Sequence, residues 1–557
     1  MIFWMTNIIK KNLPILIIVI VLASYLGIKA LDETGWDGWG FGSAQTLMST
    51  EYWARDGFAK NYFLFIASPY SKLTHYLDEP EFRNRQIETS GGALARDRRL
   101  YYTHYPPLYI FPYALLRKIG LENRSVFRIF SLLISLTGLI FFYLFIKSIS
   151  NKTIAVIASI YYGFSVTFLN YADSISVQPW DILFTFLILY LSVLAWRSFD
   201  NPRKYQRYNL LIWPIYLALS LLSYDATFFI FAYLILFDVL ILKKFLWKKW
   251  LIFALAPIIG FALQIIQNTW YLGWNDMIND FYRYYTERAI GSFKNFILGL
   301  IAPFVSMTSV ITIYFFKKTI VTLGSAILII FILWRLRKKI SLNPYFFKII
   351  FVLSAAAVSQ PFFLNVTGLW PFQGILTAPF WGLLIGASSL FIIETLKQRL
   401  GPEHKEKFIF SILGIIILGL WAYQFFSTWT YVKDWPNNKP DTKVIEFSKT
   451  IKTFYPNEEK MAFRILPKNP IWKSQYGTFN MDYYFGMPKI DFANIEDLLT
   501  DFWWLRNRSE YSFYSLIVSE NKMDVEKIRW ELANKNIKNI SPVMEIQGQY
   551  IFTVGPK

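Results

Sequence analysis

The feature that most constrains this chain is its series of eleven long apolar runs, nine of them 18 residues or more, because a water-soluble fold cannot hide so many. They lie at roughly 13–31, 126–146, 153–172, 180–196, 209–223, 225–242, 250–271, 318–335, 346–364, 371–395 and 408–427. Eleven spans in 557 residues make a polytopic α-helical membrane protein. Charged residues, at 17%, fall below the quarter or so expected of a soluble chain. Cysteine is absent, which removes disulfides, thiol nucleophiles and cysteine-ligated metals. The three histidines (His75, His104, His404) are too scattered for a zinc-type spacing.

The net charge of +19 would suit a nucleic-acid partner, but its distribution excludes one. Residues 431–557 hold 18 basic and 16 acidic groups, so nearly all the surplus sits among the spans. It forms loop-sized clusters: Lys10-Lys11, Lys147 with Lys152, Arg197–Arg207, Lys243–Lys249, Arg335–Lys339 and Lys397–Lys407. The positive-inside rule then places every cluster in the cytoplasm, the N-terminus inside and the C-terminus outside a plasma (inner) membrane. The short loops that fall outside, around 173–179, 224–227 and 365–370, contain no Lys or Arg. Arg117-Lys118 and Lys317-Lys318 run against the parity. Two further apolar stretches, 105–116 and 297–315, would raise the count to thirteen. They would also export three clusters, so they are expected to be interfacial or re-entrant. The first run follows Lys10-Lys11 as a signal peptide's would, but its 19 residues are expected to be retained as a helix.

Residues 1–430 are therefore expected to form the membrane region, with external loops at 32–104 and about 272–317. Residues 431–557 alternate instead of running apolar. Val444–Phe454, Asn494–Arg506 and Val525–Asn534 are expected helices. Met461–Leu466, Phe513–Val518 and one or two segments within Val543–Val554 are expected strands. This is an external α/β domain, large enough to bury its own core.

Acids at or within a bilayer are functional candidates, because they are costly there. Asp32, Glu33, Asp37, Asp173 and Asp225 fall at outer span ends, and Asp181 about one turn inside the fourth span. Carboxylates on one outer face suit a general base acting on a hydroxyl or amine, or a bound cation. Asp32 and Glu33 also suit a simple interfacial place. Three segments carry more information: Trp36-Asp-Gly-Trp-Gly-Phe-Gly-Ser-Ala44, His104-Tyr-Pro-Pro-Leu108, and Asn170-Tyr-Ala-Asp173 followed by Gln178-Pro-Trp-Asp-Ile-Leu-Phe-Thr-Phe186.

In these segments the chain resembles the GT-C membrane glycosyltransferases, in particular the bacterial group similar to protein O-mannosyltransferases and the lipid A aminoarabinose transferase. Asp37, Phe41, Gly42 and Ala44 match that group's first-loop pattern, with Gly38 where an acid is usual. Tyr105-Pro-Pro-Leu108 matches its second motif. Tyr171-Ala172 matches the third, with Asp173 where Arg is usual, and Asp181 fits the position of a second acid. The resemblance implies a sugar donor linked to polyprenyl phosphate, inverting transfer on the outer face, and a protein, lipid or glycan acceptor. On that implication Asp37 is the base and Asp173 or Asp181 assists. Cations would hold the lipid phosphate, and Arg283, Arg288 and His104 are the candidates, with Tyr105 beside them. Arg283 and Arg288 serve equally as headgroup anchors, and the loop aromatics as an interfacial belt. Any metal would be oxygen-liganded, Mg²⁺ or Mn²⁺, and metal-independent transfer is favoured because Gly38 removes a ligand. A multi-span transporter and a lipid-linked polysaccharide polymerase or ligase are the alternatives. No paired half-repeat supports the first, and the early position of the long loop disfavours the second.

Overall fold

A computed structural model describes residues 2–32, 40–66, 93–96, 99–103, 105–285, 345–363, 374–397, 404–434, 442–455, 460–465, 489–492, 494–507 and 513–556. The first helices in chain order are α1 (Ile2–Leu31), α2 (Gly40–Asp56), α3 (Ile110–Lys118), α4 (Arg124–Ile149), α5 (Lys152–Gly163) and α6 (Val166–Tyr171). Next come α7 (Gln178–Arg197), α8 (Pro202–Ser220), α9 (Tyr224–Phe237), α10 (Trp247–Leu272), α11 (Trp274–Tyr285) and α12 (Phe346–Phe363). The last are α13 (Gly374–Lys397), α14 (His404–Asp434), α15 (Thr442–Thr453), α16 (Ile495–Arg506) and α17 (Lys522–Asn534). Two compact units result. One comprises residues 1–32, 125–266 and 277–437, the other 33–124, 267–276 and 438–557.

The first unit is a helical bundle. Among the described residues, five helical segments are long and apolar enough to cross a membrane: Asn12–Leu31, Arg124–Ile149, Gln178–Arg197, Trp247–Leu272 and Leu413–Lys433. Shorter apolar segments at Ala226–Leu242 and Gly382–Ile393 join them. The run at 318–335 lies outside the described residues, as does 297–315. The run expected at 153–172 is two helices, because the chain breaks at Phe164-Ser165. Ser165 starts α6 by accepting from the Phe168 amide at 3.2 Å. The carbonyl of Phe164 loses its place in the ladder there and is claimed by α14. Gln424 Nε2 donates to it at 2.7 Å and Thr428 Oγ1 at 2.6 Å. Asn151, Asn201 and Ser223 cap α5, α8 and α9 in the same way.

α13 packs on α5, α7 on α8, and α9 on α12. Small residues set the α5–α13 approach. A Cβ on Gly382 would meet the Ala158 carbonyl oxygen at 2.8 Å, and one on Gly386 that of Ile154 at 2.9 Å. Only hydrogen fits at either site, which is how membrane helices gain packing without a hydrophobic driving force. The basic clusters also gather. Lys147 Nζ donates to Asn12 Oδ1 at 3.0 Å, next to Lys10-Lys11, and the Arg197 guanidinium donates to the Ser148 carbonyl. Three of the six clusters thus share one end of the bundle, as the charge parity requires.

The second unit has two parts. Within 33–124, α2 packs on α3, and β1 (Phe65–Ile66), β2 (Ala93–Arg96) and β3 (Arg99–Tyr102) form an antiparallel sheet in the order β1-β3-β2. α3, within the expected interfacial stretch, has nine residues. That is a rise of about 14 Å, half of what a bilayer core needs.

The C-terminal part is the expected α/β fold, with one strand more. β4 (Lys460–Ile465), β5 (Lys489–Phe492), β6 (Tyr514–Ser519), β7 (Met544–Ile546) and β8 (Gln549–Val554) form a sheet in the order β5-β4-β6-β8-β7. β4 runs parallel to β5 and β6, while β8 is antiparallel to β6 and β7. Strand alternation divides the core. Met461, Phe463 and Ile465 face α16 and α17, where Phe502, Leu505, Ile528 and Leu532 are buried. Ala462, Leu516 and Val518 meet Phe447 and Ile451 of α15 on the other face.

Candidate functional site

The bundle's most unusual chemistry lies where α1 ends. Lys29, Arg128 and Asp173 are 2%, 1% and 0% exposed, and such burial of charge is tolerated only when the groups satisfy one another. Lys29 Nζ donates to Asp173 Oδ1 at 2.8 Å and to the Leu169 carbonyl at 2.8 Å. From the other side, Arg128 Nε donates to Asp173 Oδ2 at 2.9 Å, and Nη2 bonds the same oxygen. Arg128 Nη1 then reaches the carbonyl of Asp32 at 3.2 Å. Around this knot, Ser135 Oγ donates to the Ala172 carbonyl at 2.8 Å and Tyr431 Oη to that of Leu169 at 3.2 Å. The ends of α1, α4 and α6 and the side of α14 are thereby tied together.

Burial alone would push the Asp173 carboxyl up. The Arg128 guanidinium and the Lys29 ammonium outweigh that and hold it below the usual carboxylate range. A carboxylate so held is a permanent anion and a weak base. The connection beyond it is polar and buried. Ser174 and Ser176 share a hydrogen bond at 2.6 Å, and Ser176 bonds Gln178 Oε1. Asp181 follows on the first turn of α7, 8% exposed. One turn further, Thr185 is 1% exposed and its Oγ1 has no hydrogen-bond partner among the described residues.

The expected site residues divide accordingly. Asp173 and Asp181 lie on one short, largely buried stretch, eight positions apart in the chain, with the Ser174–Ser176–Gln178 bonds between them. Asp37, His104 and Arg288 lie outside the described residues, and Arg283 is on the last turn of α11 with its side chain undescribed. Tyr105 is 45% exposed and stacks on Tyr102, ring centres 5.5 Å apart. Among the described residues no group of three or more His, Asp or Glu is placed to hold a metal ion. Lys29 and Arg128 were not anticipated. Lys29 lies within the run 13–31 and Arg128 within the run 126–146, and a cation inside an apolar run was the available signal.

The loop part carries a second unusual feature. Tyr62 and Phe63 take consecutive left-handed conformations, with φ of 53° and 55°. Fully buried Asn61 holds the turn, donating to the carbonyls of Tyr52 at 3.2 Å and Gly57 at 2.8 Å and accepting from Tyr101 Oη at 3.1 Å. Tyr62 packs against Tyr101 and Tyr271.

No protein-family model matches the chain, and no curated protein sequence does. Solved structures do match, along nearly the whole chain. ArnT from Cupriavidus metallidurans bound to undecaprenyl phosphate is similar with a TM-score of 0.54 at 10% identity, over 97% of this chain and 99% of that one. The oligosaccharyltransferase AglB from Archaeoglobus fulgidus, in complex with an inhibitory peptide and a dolichol-phosphate, matches at 12% identity. That match covers 92% of this chain and 70% of that one, with a TM-score of 0.47. The fold is thus similar to that of ArnT over nearly the whole chain.

Proposed function

We propose that this chain is a membrane glycosyltransferase of the GT-C type, moving a sugar from a polyprenyl-phosphate donor to an acceptor on the outer face of the plasma (inner) membrane. The whole-length likeness to a protein bound to undecaprenyl phosphate carries this reading. Fold by itself does not fix chemistry, so the residues must supply the rest. Asp37 acts as the base that deprotonates the acceptor, and the sugar transfers with inversion as the lipid phosphate leaves. His104, Tyr105, Arg283 and Arg288 bind the donor, with the cations countering charge that develops on the departing phosphate. Asp173 and Asp181 orient the acceptor. For Asp173, orienting fits better than sharing the base role, because both its oxygens are held by buried cations. The same engagement makes it a poor ligand for a divalent metal.

The decisive experiment incubates purified protein in proteoliposomes with labelled polyprenyl-phosphate sugars and membrane acceptors. Transfer by the wild type, cut at least about 100-fold in Asp37→Asn, supports a base in the range typical of general acid–base catalysis. Equal activity in Asp37→Asn refutes that role. Accumulation of substrate in sealed vesicles without chemistry points to a transporter instead.

A further inference from the structure

α8 and α10 both start in basic sequence, and the bundle sets those starts side by side. Lys249 Nζ lies 5.7 Å from the centre of the Tyr205 ring. Further along, Trp213 Nε1 donates to the Ile252 carbonyl at 3.0 Å and Ser220 Oγ to that of Ala256 at 2.9 Å. The two helices therefore run in the same direction, and Arg203, Lys204 and Arg207 come to the end that carries Lys243, Lys244 and Lys248. The connection into α10 is fixed. A π-helical turn, Asp238–Leu242, follows α9, and Lys243 is left-handed with φ of 53°. The Asp238 carbonyl accepts from the Lys244 amide at 3.1 Å. Its carboxylate, 1% exposed, accepts from Lys249 Nζ and Trp250 Nε1, each at 2.9 Å. One buried residue thus holds both ends of the connection and cancels the charge of Lys249. The six other cations are exposed, and among the described residues none has an acidic partner. The helix dipoles add to the excess, since both helices begin here.

Cations crowded on a rigid frame repel one another until an anion joins them. The surface beside them shows which anion fits. Phe245 and Trp247 are 76% and 51% exposed within the same connection, and Leu210 and Leu251 are 74% and 59% exposed just along α8 and α10. A rim of cations over an apolar wall matches a headgroup carrying negative charge with acyl chains beneath it. We propose that this rim and wall form a binding site for an anionic phospholipid, its headgroup held between Lys243, Lys244 and Lys248 on one side and the α8 cations on the other. A free anion would use the rim and leave the wall idle. The site is independent of the sugar chemistry.

The test titrates the full chain, purified in neutral detergent, with phosphatidylglycerol or phosphatidylcholine. Bound lipid is counted by native mass spectrometry and the melting temperature is followed in parallel. Wild type is expected to retain phosphatidylglycerol and to melt later with it, while phosphatidylcholine does little. One basic residue near an anionic surface strengthens binding about fivefold, so K243Q/K244Q/K248Q is expected to bind phosphatidylglycerol at least about 10-fold more weakly. K522Q/K527Q/K538Q removes the same charge from the C-terminal domain and is expected to bind as wild type does. Equal losses in the two variants would show net charge alone at work and overturn the proposal. Equal uptake of both lipids would do the same, as would equal stabilisation by inorganic phosphate, which makes the ligand a free anion. Should K243Q/K244Q/K248Q fail to accumulate, R203Q/K204Q/R207Q tests the other half of the rim with the same expected loss. Wild type alone gives a further reading, because the phosphatidylglycerol response must fade between about 0.05 M and about 0.5 M salt. A response indifferent to salt overturns the headgroup contact.

Discussion

Asp173 holds two buried cations, and its removal is costly for that reason. Asp173→Asn takes from Lys29 and Arg128 the carboxylate they share and is expected to cost about 3–5 kcal/mol, the usual penalty for stripping one partner from a buried pair. The pH dependence has a definite sign. The folded carboxyl lies below its unfolded value of about 3.9, so its contribution is complete above that pH and fades only as pH falls through the folded value. Thermal unfolding of wild type and Asp173→Asn in detergent is therefore expected to differ by a constant amount from pH 8 down to pH 5. A gap that closes within that window would show that the carboxyl titrates there. Asn61 offers a test in the loop part, where its amide makes three bonds at full burial. Asn61→Leu leaves two carbonyls and a phenol without it and is expected to cost about 2–4 kcal/mol, read as lost thermal stability. Neither arrangement was legible in the sequence. Asp173 was found because acids near a bilayer stand out. Its partners lie 144 and 45 residues away along the chain, distances that no local pattern bridges.

At the scale of elements the sequence was far more informative, because helices and strands answer to local periodicity. The helices at 444–454, 494–506 and 525–534 form within three residues of where the apolar pattern put them. β5 escaped because Lys489-Ile-Asp-Phe492 is short and half charged, as an edge strand commonly is. α2 escaped as well, since its glycines and polar residues give no amphipathic stripe. The break at Ser165 was hidden inside a continuous apolar run, where hydropathy reports depth and says nothing of helix continuity. The α5–α13 crossing yields the prediction that belongs here. Gly382→Leu and Gly386→Leu would each drive a side chain into a carbonyl oxygen of α5. Each is expected to destabilise by at least about 1–3 kcal/mol, seen as earlier melting and a broadened peak in size-exclusion chromatography. Gly414 and Gly419, whose Cβ positions meet nothing within 4 Å, are the matched controls and are expected to tolerate alanine.

For the whole molecule the charge pattern carried the organisation. Placing the clusters on one side required those at 10–11, 147–152 and 197–207 to meet at one end of the bundle, and the Lys147–Asn12 and Arg197–Ser148 bonds bring them there. The absolute orientation is a separate expectation: a tag after Lys557 is accessible to impermeant protease in intact cells, and shielding of that tag would reverse the topology. Metal dependence is the other test at this scale. Transfer is expected to survive exhaustive EDTA. Full loss with rescue by Mg²⁺ or Mn²⁺ would make a carboxylate-bound ion part of the machinery, and rescue by Zn²⁺ alone would contradict the ligand chemistry as well.

The open carbonyl of Phe164 has a consequence for how such a chain is made. Its donor Gln424 is 260 residues downstream, so it leaves the ribosome roughly 10–50 seconds later. If 153–172 enters the bilayer as its apolar run implies, the break between α5 and α6 sits there throughout that interval, where an unmet backbone oxygen costs several kcal/mol. A nascent chain halted before α14 should therefore sit poorly in lipid, holding water or an insertion factor at the break. Arrest at successive lengths, with cross-linking from a unique cysteine placed at residue 165 in this naturally cysteine-free chain, would follow that occupant until residues 424–428 emerge and displace it. Full-length synthesis is thus also the step that seals the bundle, and quality control has a natural checkpoint in the arrival of one late helix.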